Sequence, residues 1–184
     1  MAHSAEHMEI HPYFDLELYM SMSQETRLGG AVTERLMELW AQWIPEVHAL
    51  CIKTDSIEYL AVWLNAKVEE DIDRAWDQSP TDAYLYNTLA QVLCMSTVYG
   101  ILPEIQDAGC APAPRTTDKL RAALTAEGLP YTPSGTLARR YAVVTHYPFK
   151  GGCEICNLQH ACPKAQGTGG ESSVLLPGYE RENM

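Results

Sequence analysis

No apolar run in the chain reaches the length of a membrane span. The amino-terminal stretch MAHSAEHMEI has no basic segment followed by an apolar one, which argues against a secretory signal and sets the expectation of a cytoplasmic protein. Positive charge is scarce: 13 Lys and Arg stand against 24 Asp and Glu, for a net charge of −11. Such a surface repels phosphate backbones and anionic lipid, so neither nucleic acid nor a membrane is expected as a partner. The densest basic patch is the pair in LARRYAV, Arg139 and Arg140. There is no G-x-S-x-G, no phosphate-binding glycine loop, no H-E-x-x-H and no internal repeat. No ready-made hydrolytic or nucleotide-binding constellation is therefore visible.

What is present suits one domain with a core. The chain has 184 residues, 46% hydrophobic and 20% charged. It divides into a helical body over 1–145, a cysteine-bearing loop over 146–167 and a Gly/Ser-rich tail over 168–184 whose apolar anchor runs from Val174 to Leu176.

Periodicity along the body is mainly helical. His3, His7 and His11 have helical spacing, but a frayed terminus is the preferred reading. YFDLELYMSM alternates at Phe14, Leu16, Leu18, Met20 and Met22, a strand period, although Phe14, Leu18 and Met22 also fit a short helix. Val32, Leu36, Leu39, Trp43 and Val47 mark a helix that Pro45 should end. Asp55 and Glu58 read as the capped start of another, with Ile57, Leu60, Leu64, Val68 and Trp76 on its apolar stripe. Residues 81–102 form the most apolar helix, expected at the centre. Thr117 caps a short helix ending near Gly128. The segment 136–147 fits helix or strand. The acidic run Glu69, Glu70, Asp71 and Asp73 reads as a solvated helix face. The stripe residues and the tryptophans read as core. The fold class expected is mostly α: a single helical domain, with room for a small β element joining the N-terminal alternating segment to residues 140–147, and a C-terminal cysteine loop.

Chemistry concentrates in HYPFKGGCEICNLQHACPKAQG, where Cys153, Cys156 and Cys162 are spaced C-x2-C-x5-C. In a cytoplasmic setting such thiols are reduced or bind metal rather than pairing as disulfides. C-x2-C lets two sulfurs converge, the five-residue gap brings a third from another side, and flanking Gly151 and Gly152 let backbone wrap closely round an object. Pro163 follows the last cysteine, as in the C-P ending of bacterial ferredoxin motifs. Cys51 and Cys94 sit in apolar stretches and read as packed thiols. A zinc site could use Cys153, Cys156, His160 and Cys162, but His160 and Cys162 make a cramped ring. A [4Fe-4S] cluster takes three local cysteines and a distant fourth ligand, and is the preferred cofactor, with zinc the alternative. For the fourth ligand, Cys110 in its Pro-rich connector comes first, then His146, then His160. Three cysteines alone would leave one iron open to a substrate.

Over these ten residues the triplet resembles the last three ligands of several [4Fe-4S] families. In endonuclease III-type glycosylases the first cysteine would fall at His146. In WhiB-like regulators it lies closer than Cys110 does. Nucleases with an iron staple use a distant first cysteine, which Cys51, Cys94 or Cys110 could supply, but also an E-x-K site that this chain lacks. The molybdenum-donor family NifQ resembles the chain in having a helical body with its cysteines near the end; its first cysteine would fall at Pro148. The resemblance speaks to the cofactor. The function expected is an iron–sulfur accessory subunit, or a maturation or electron-transfer factor, acting with a larger protein partner. The alternatives are a small enzyme with an open cluster iron and a zinc-stabilised interaction domain.

Overall fold

The computed structural model describes residues 3–55, 57–162 and 165. Its elements are β1 (Ser4–His7), α1 (Leu16–Ser23), α2 (Gly30–Trp43), β2 (Val47–Thr54), β3 (Ile57–Leu64), α3 (Ala66–Gln78), α4 (Pro80–Ile101), α5 (Glu104–Ala108), α6 (Asp118–Ala126) and β4 (Ala142–Tyr147). The strands form one antiparallel sheet in the order β1-β2-β3-β4. The fold is thus α+β, which corrects the mostly α expectation.

The correction centres on β3. Ile57, Leu60 and Leu64 fit a helical stripe because the strand is apolar from Tyr59 to Leu64, and it is apolar there because both faces of the sheet are covered. Leu60, Val62 and Leu64 enter a large core with Trp40, Trp43, Leu89 and Leu93 from α2 and α4. Tyr59, Ala61 and Trp63 alternate into a smaller core with Leu120, Ala123 and Leu124 of α6. The β-branched and aromatic residues of IEYLAVWL settle the run as strand. Asp55 and Glu58 therefore cap no helix. Thr54 pairs with Ile57, and Asp55 holds φ at 52°, the left-handed geometry a tight hairpin needs.

Two further readings change at the N-terminus. The alternating segment is α1: Asp15 accepts the Leu18 N–H at 2.9 Å, and this cap starts a helix that places Tyr19 in the core. The terminal strand is instead β1, where a frayed end was expected, and it pairs with β2, not with residues 140–147. His3 reaches Glu127 at 3.1 Å rather than sharing a helix face with His7 and His11. The undecided segment before the cysteine loop resolves as β4 on β3.

Elsewhere the expected elements stand. α2 ends in a turn of 3-10 helix at Ile44–Glu46, where Pro45 sits. α4 is the central helix, buried along Leu85, Leu89, Val92, Leu93 and Val98. Thr117 caps α6 by accepting the Leu120 N–H at 3.2 Å. Trp40, Trp43 and Trp63 are buried, but Trp76 lies on the outer face of α3, 47% exposed. Among the described residues no helix is long and apolar enough to cross a membrane. The tail with its Val174–Leu176 anchor, and Pro163, lie outside the described residues.

Leu60 has no solvent exposure and sits in the middle of the sheet. Leu60→Ala should lower unfolding free energy by roughly 3 kcal/mol, measured by urea denaturation, through lost burial and a residual cavity.

Candidate metal centre

Two loops build the site. The first is the connector 109–117, which leaves α5 through Gly109 at φ 62° and immediately carries Cys110. The second follows β4 and runs through two short 3-10 turns, Cys153–Ile155 and Gln159–Ala161. These turns come from successive local bonds. Cys156 N–H donates to the Cys153 carbonyl at 3.2 Å and Ala161 N–H to the Leu158 carbonyl at 3.0 Å. Each turn reverses the chain so that Cys153, Cys156 and Cys162 return to one side.

Their common side is a cavity of about 70 Å³ lined by Cys110, Cys153, Cys156 and Cys162 together with Ala108, Pro112, Gly152 and Gln159. The three loop cysteines are half-buried and Cys110 is exposed. Small neighbours at 108 and 152 leave the space to the thiols. The connector is tied in place from two directions: the Asn157 N–H donates to the Ala113 carbonyl at 2.8 Å, and the Thr145 hydroxyl donates to the Pro112 carbonyl at 3.0 Å.

Glycine suits position 151, where φ is 60° and a Cβ would push the Glu154 carboxylate aside. That carboxylate accepts the Gly152 N–H at 2.9 Å. Backbone N–H groups of Glu154 itself and of Gly152 hold its pKa below the ordinary carboxylate range. The charge is spent on shaping the loop rather than directed into the cavity.

The other candidate ligands stand apart. His146 does not line the cavity. It is opposite Tyr59, whose ring lies 5.4 Å from its own, and so faces the smaller core. Its strand neighbour Thr145 faces the other way, toward the connector. Burial, and then the Lys150 charge, hold the His146 pKa below the ordinary imidazole value. His160 is exposed and does not line the cavity either. Cys51 and Cys94 are buried in the sheet and in α4. Among the described residues no three His, Cys, Asp or Glu side chains are grouped tightly enough to hold a single metal ion. The four thiols surround a space rather than converge on a point.

Thr145, Pro112 and Asn157 escaped the sequence reading. Only Thr145 left a signal: a small aliphatic hydroxyl among the apolar residues of YAVVTHY that, once buried, must find a partner. The acidic run is also more than a solvated face. Glu69 accepts the Arg140 backbone N–H at 2.8 Å, Asp73 accepts from the Arg140 guanidinium at 2.8 Å, and Asp71 accepts from Trp43 Nε1 at 3.1 Å.

Burial pushes the Cys94 thiol up to about 12, and burial followed by the Glu58 charge raises that of Cys51. Iodoacetamide at pH 8 should therefore label Cys110, Cys153, Cys156 and Cys162 of chelator-treated native protein well before Cys94. Peptide mass spectrometry reads the order, and early labelling of Cys94 would contradict it.

No protein-family model, curated protein or solved structure matches the chain.

Proposed function

We propose that the chain binds a [4Fe-4S] cluster through Cys110, Cys153, Cys156 and Cys162, and works in the cytoplasm as an accessory subunit or a maturation or electron-transfer factor for a larger protein. One observation carries this reading: the cysteine 43 positions before the triplet, chosen from sequence as the distant ligand, lines the same cavity as the triplet. A cubane takes one thiolate per iron, and among the described residues the lining holds four soft thiols and no carboxylate or imidazole. When bound, such a cluster supplies one-electron chemistry.

Geometry favours the cluster over zinc. A tetrahedral zinc with Zn–S near 2.3 Å needs its sulfurs within about 4 Å of one another, whereas four thiols round a cavity suit a larger object. The zinc set that includes His160 would also need that exposed ring to turn inward. Cys110 in the lining supports four-thiolate closure over an open iron, and hence a partner-facing role over a substrate-binding one. The site is at the surface, and Leu158 between its cysteines is 57% exposed, an apolar contact for a partner. With a net charge of −11, neither nucleic acid nor anionic membrane suits that partner.

Anaerobically purified protein should be brown and carry about four irons and four sulfides per chain. Cys110→Ser, Cys153→Ser, Cys156→Ser and Cys162→Ser should each lose or convert most of the cluster, while Cys94→Ser keeps it. Colourless protein with stoichiometric zinc would overturn the reading.

A further inference from the structure

The connector that carries Cys110 has an unusual task. α5 packs in the large core through Ile105, and α6 packs in the smaller core on the opposite face of the sheet. The chain between them must therefore pass the sheet, and it does so at the edge strand β4. Neither a helix nor a strand fixes the backbone there. Its place is set by packing of Ala111 against the large core and by what its carbonyls bond to.

Two consecutive carbonyls are engaged, by different parts of the protein. The Pro112 carbonyl accepts from Thr145 Oγ1 at 3.0 Å, and the Ala113 carbonyl accepts from the Asn157 N–H at 2.8 Å. The first bond anchors the connector to the sheet. The second joins it to the loop of the triplet. Thr145 is 1% exposed and lies opposite Leu60, on the face that Val143 and Tyr147 present to the large core. A hydroxyl in such a place costs stability unless it is bonded. Its bond falls two residues from Cys110, and Pro112, with φ fixed by its ring, transmits the anchor stiffly.

We propose that Thr145 is the positioning residue of the fourth thiol: its hydroxyl holds the connector so that Cys110 faces Cys153, Cys156 and Cys162 across the cavity. The consequence for a cluster rests on the function proposed above; the placement of Cys110 does not, and the test separates them.

The full chain, stripped by chelator and reduced, is oxidised with diamide, which takes two electrons and two protons from each thiol pair. Peptide mass spectrometry follows the rate at which Cys110 links to any of the other three cavity cysteines. Thr145→Val should slow that rate about five-fold, the ratio equivalent to one ordinary hydrogen bond. Thr145→Ala, which lacks the same hydroxyl in a smaller side chain, should do the same. Thr145→Ser should link at the native rate. Circular dichroism and continued protection of Cys94 establish that each variant is folded. In anaerobically loaded protein, Thr145→Val should give the EPR signal of a three-iron cluster after brief air exposure, and Thr145→Ser should not. Native linking in both hydroxyl-free variants, or slow linking in Thr145→Ser, would overturn the proposal, as would a native chain in which Cys110 links to none of the three. Native protein without iron but with the expected linking pattern would overturn the cluster and leave the positioning role standing.

Discussion

Burial of β3 on both faces is the constraint from which the rest of the architecture follows. A strand that sends Leu60, Val62 and Leu64 one way and Tyr59, Ala61 and Trp63 the other needs apolar cover on each side. α2 and α4 supply one cover and α6 supplies the other. A single chain that covers both faces must cross a sheet edge, and the crossing after α5 does so beside β4. The cysteine loop leaves the sheet from the end of that same strand. Four thiols thus gather where a crossing connector meets a strand exit, and the two are joined by main-chain and side-chain hydrogen bonds rather than by a core of their own.

The opposite end of β4 is fixed electrostatically. Glu69, only 14% exposed, takes the Arg140 N–H and lies 3.7 Å from the Arg139 guanidinium, while Asp73 faces that of Arg140. Exposed ion pairs contribute little individually, about 0–1 kcal/mol. Here a backbone donor is bonded as well, so the pair fixes where the strand begins as much as how stable it is. α3 holds one end of β4, and Thr145 uses the other half to hold the connector. Among the described residues no buried side-chain polar atom lacks a hydrogen-bond partner, so the buried hydroxyl of Thr145 is part of a satisfied interior rather than a defect in it.

Much of the helical framework was legible because its signals are local. Pro45 ends α2, Thr117 caps α6, and the unbroken apolarity of α4 places it at the centre. The sheet was less legible. β3 is covered on both faces, so it has lost the alternation by which a half-buried strand announces itself, and the run fits a helical stripe equally well. α1 failed in the opposite direction: its residues alternate by chance, while one carboxylate, Asp15, decides the matter by capping. At the site, the ligand types and the C-x2-C-x5-C spacing are properties of the sequence, and so is the looseness of the Pro-rich connector that made Cys110 the first choice. What no spacing can express is that α5 and α6 lie on opposite faces of the sheet. That placement carries the connector past β4, where its hydrogen bonds bring residue 110 to the cysteine loop.

The six cysteines divide along the same physical line. Cys51 and Cys94 are 3% exposed, and burial raises both thiols, so they remain protonated and pack as small apolar groups. The other four stand in loops, reachable from solvent, whose backbone is held by hydrogen bonds to main-chain carbonyls and N–H groups. A chain using cysteine only for packing would have no reason to shape two separate loops around a thiol-lined space. A glycine in the left-handed region, a carboxylate folded back on the Gly152 N–H and a buried, bonded hydroxyl stand at the points where those loops are held. Together they fix the backbone around the space rather than fill it.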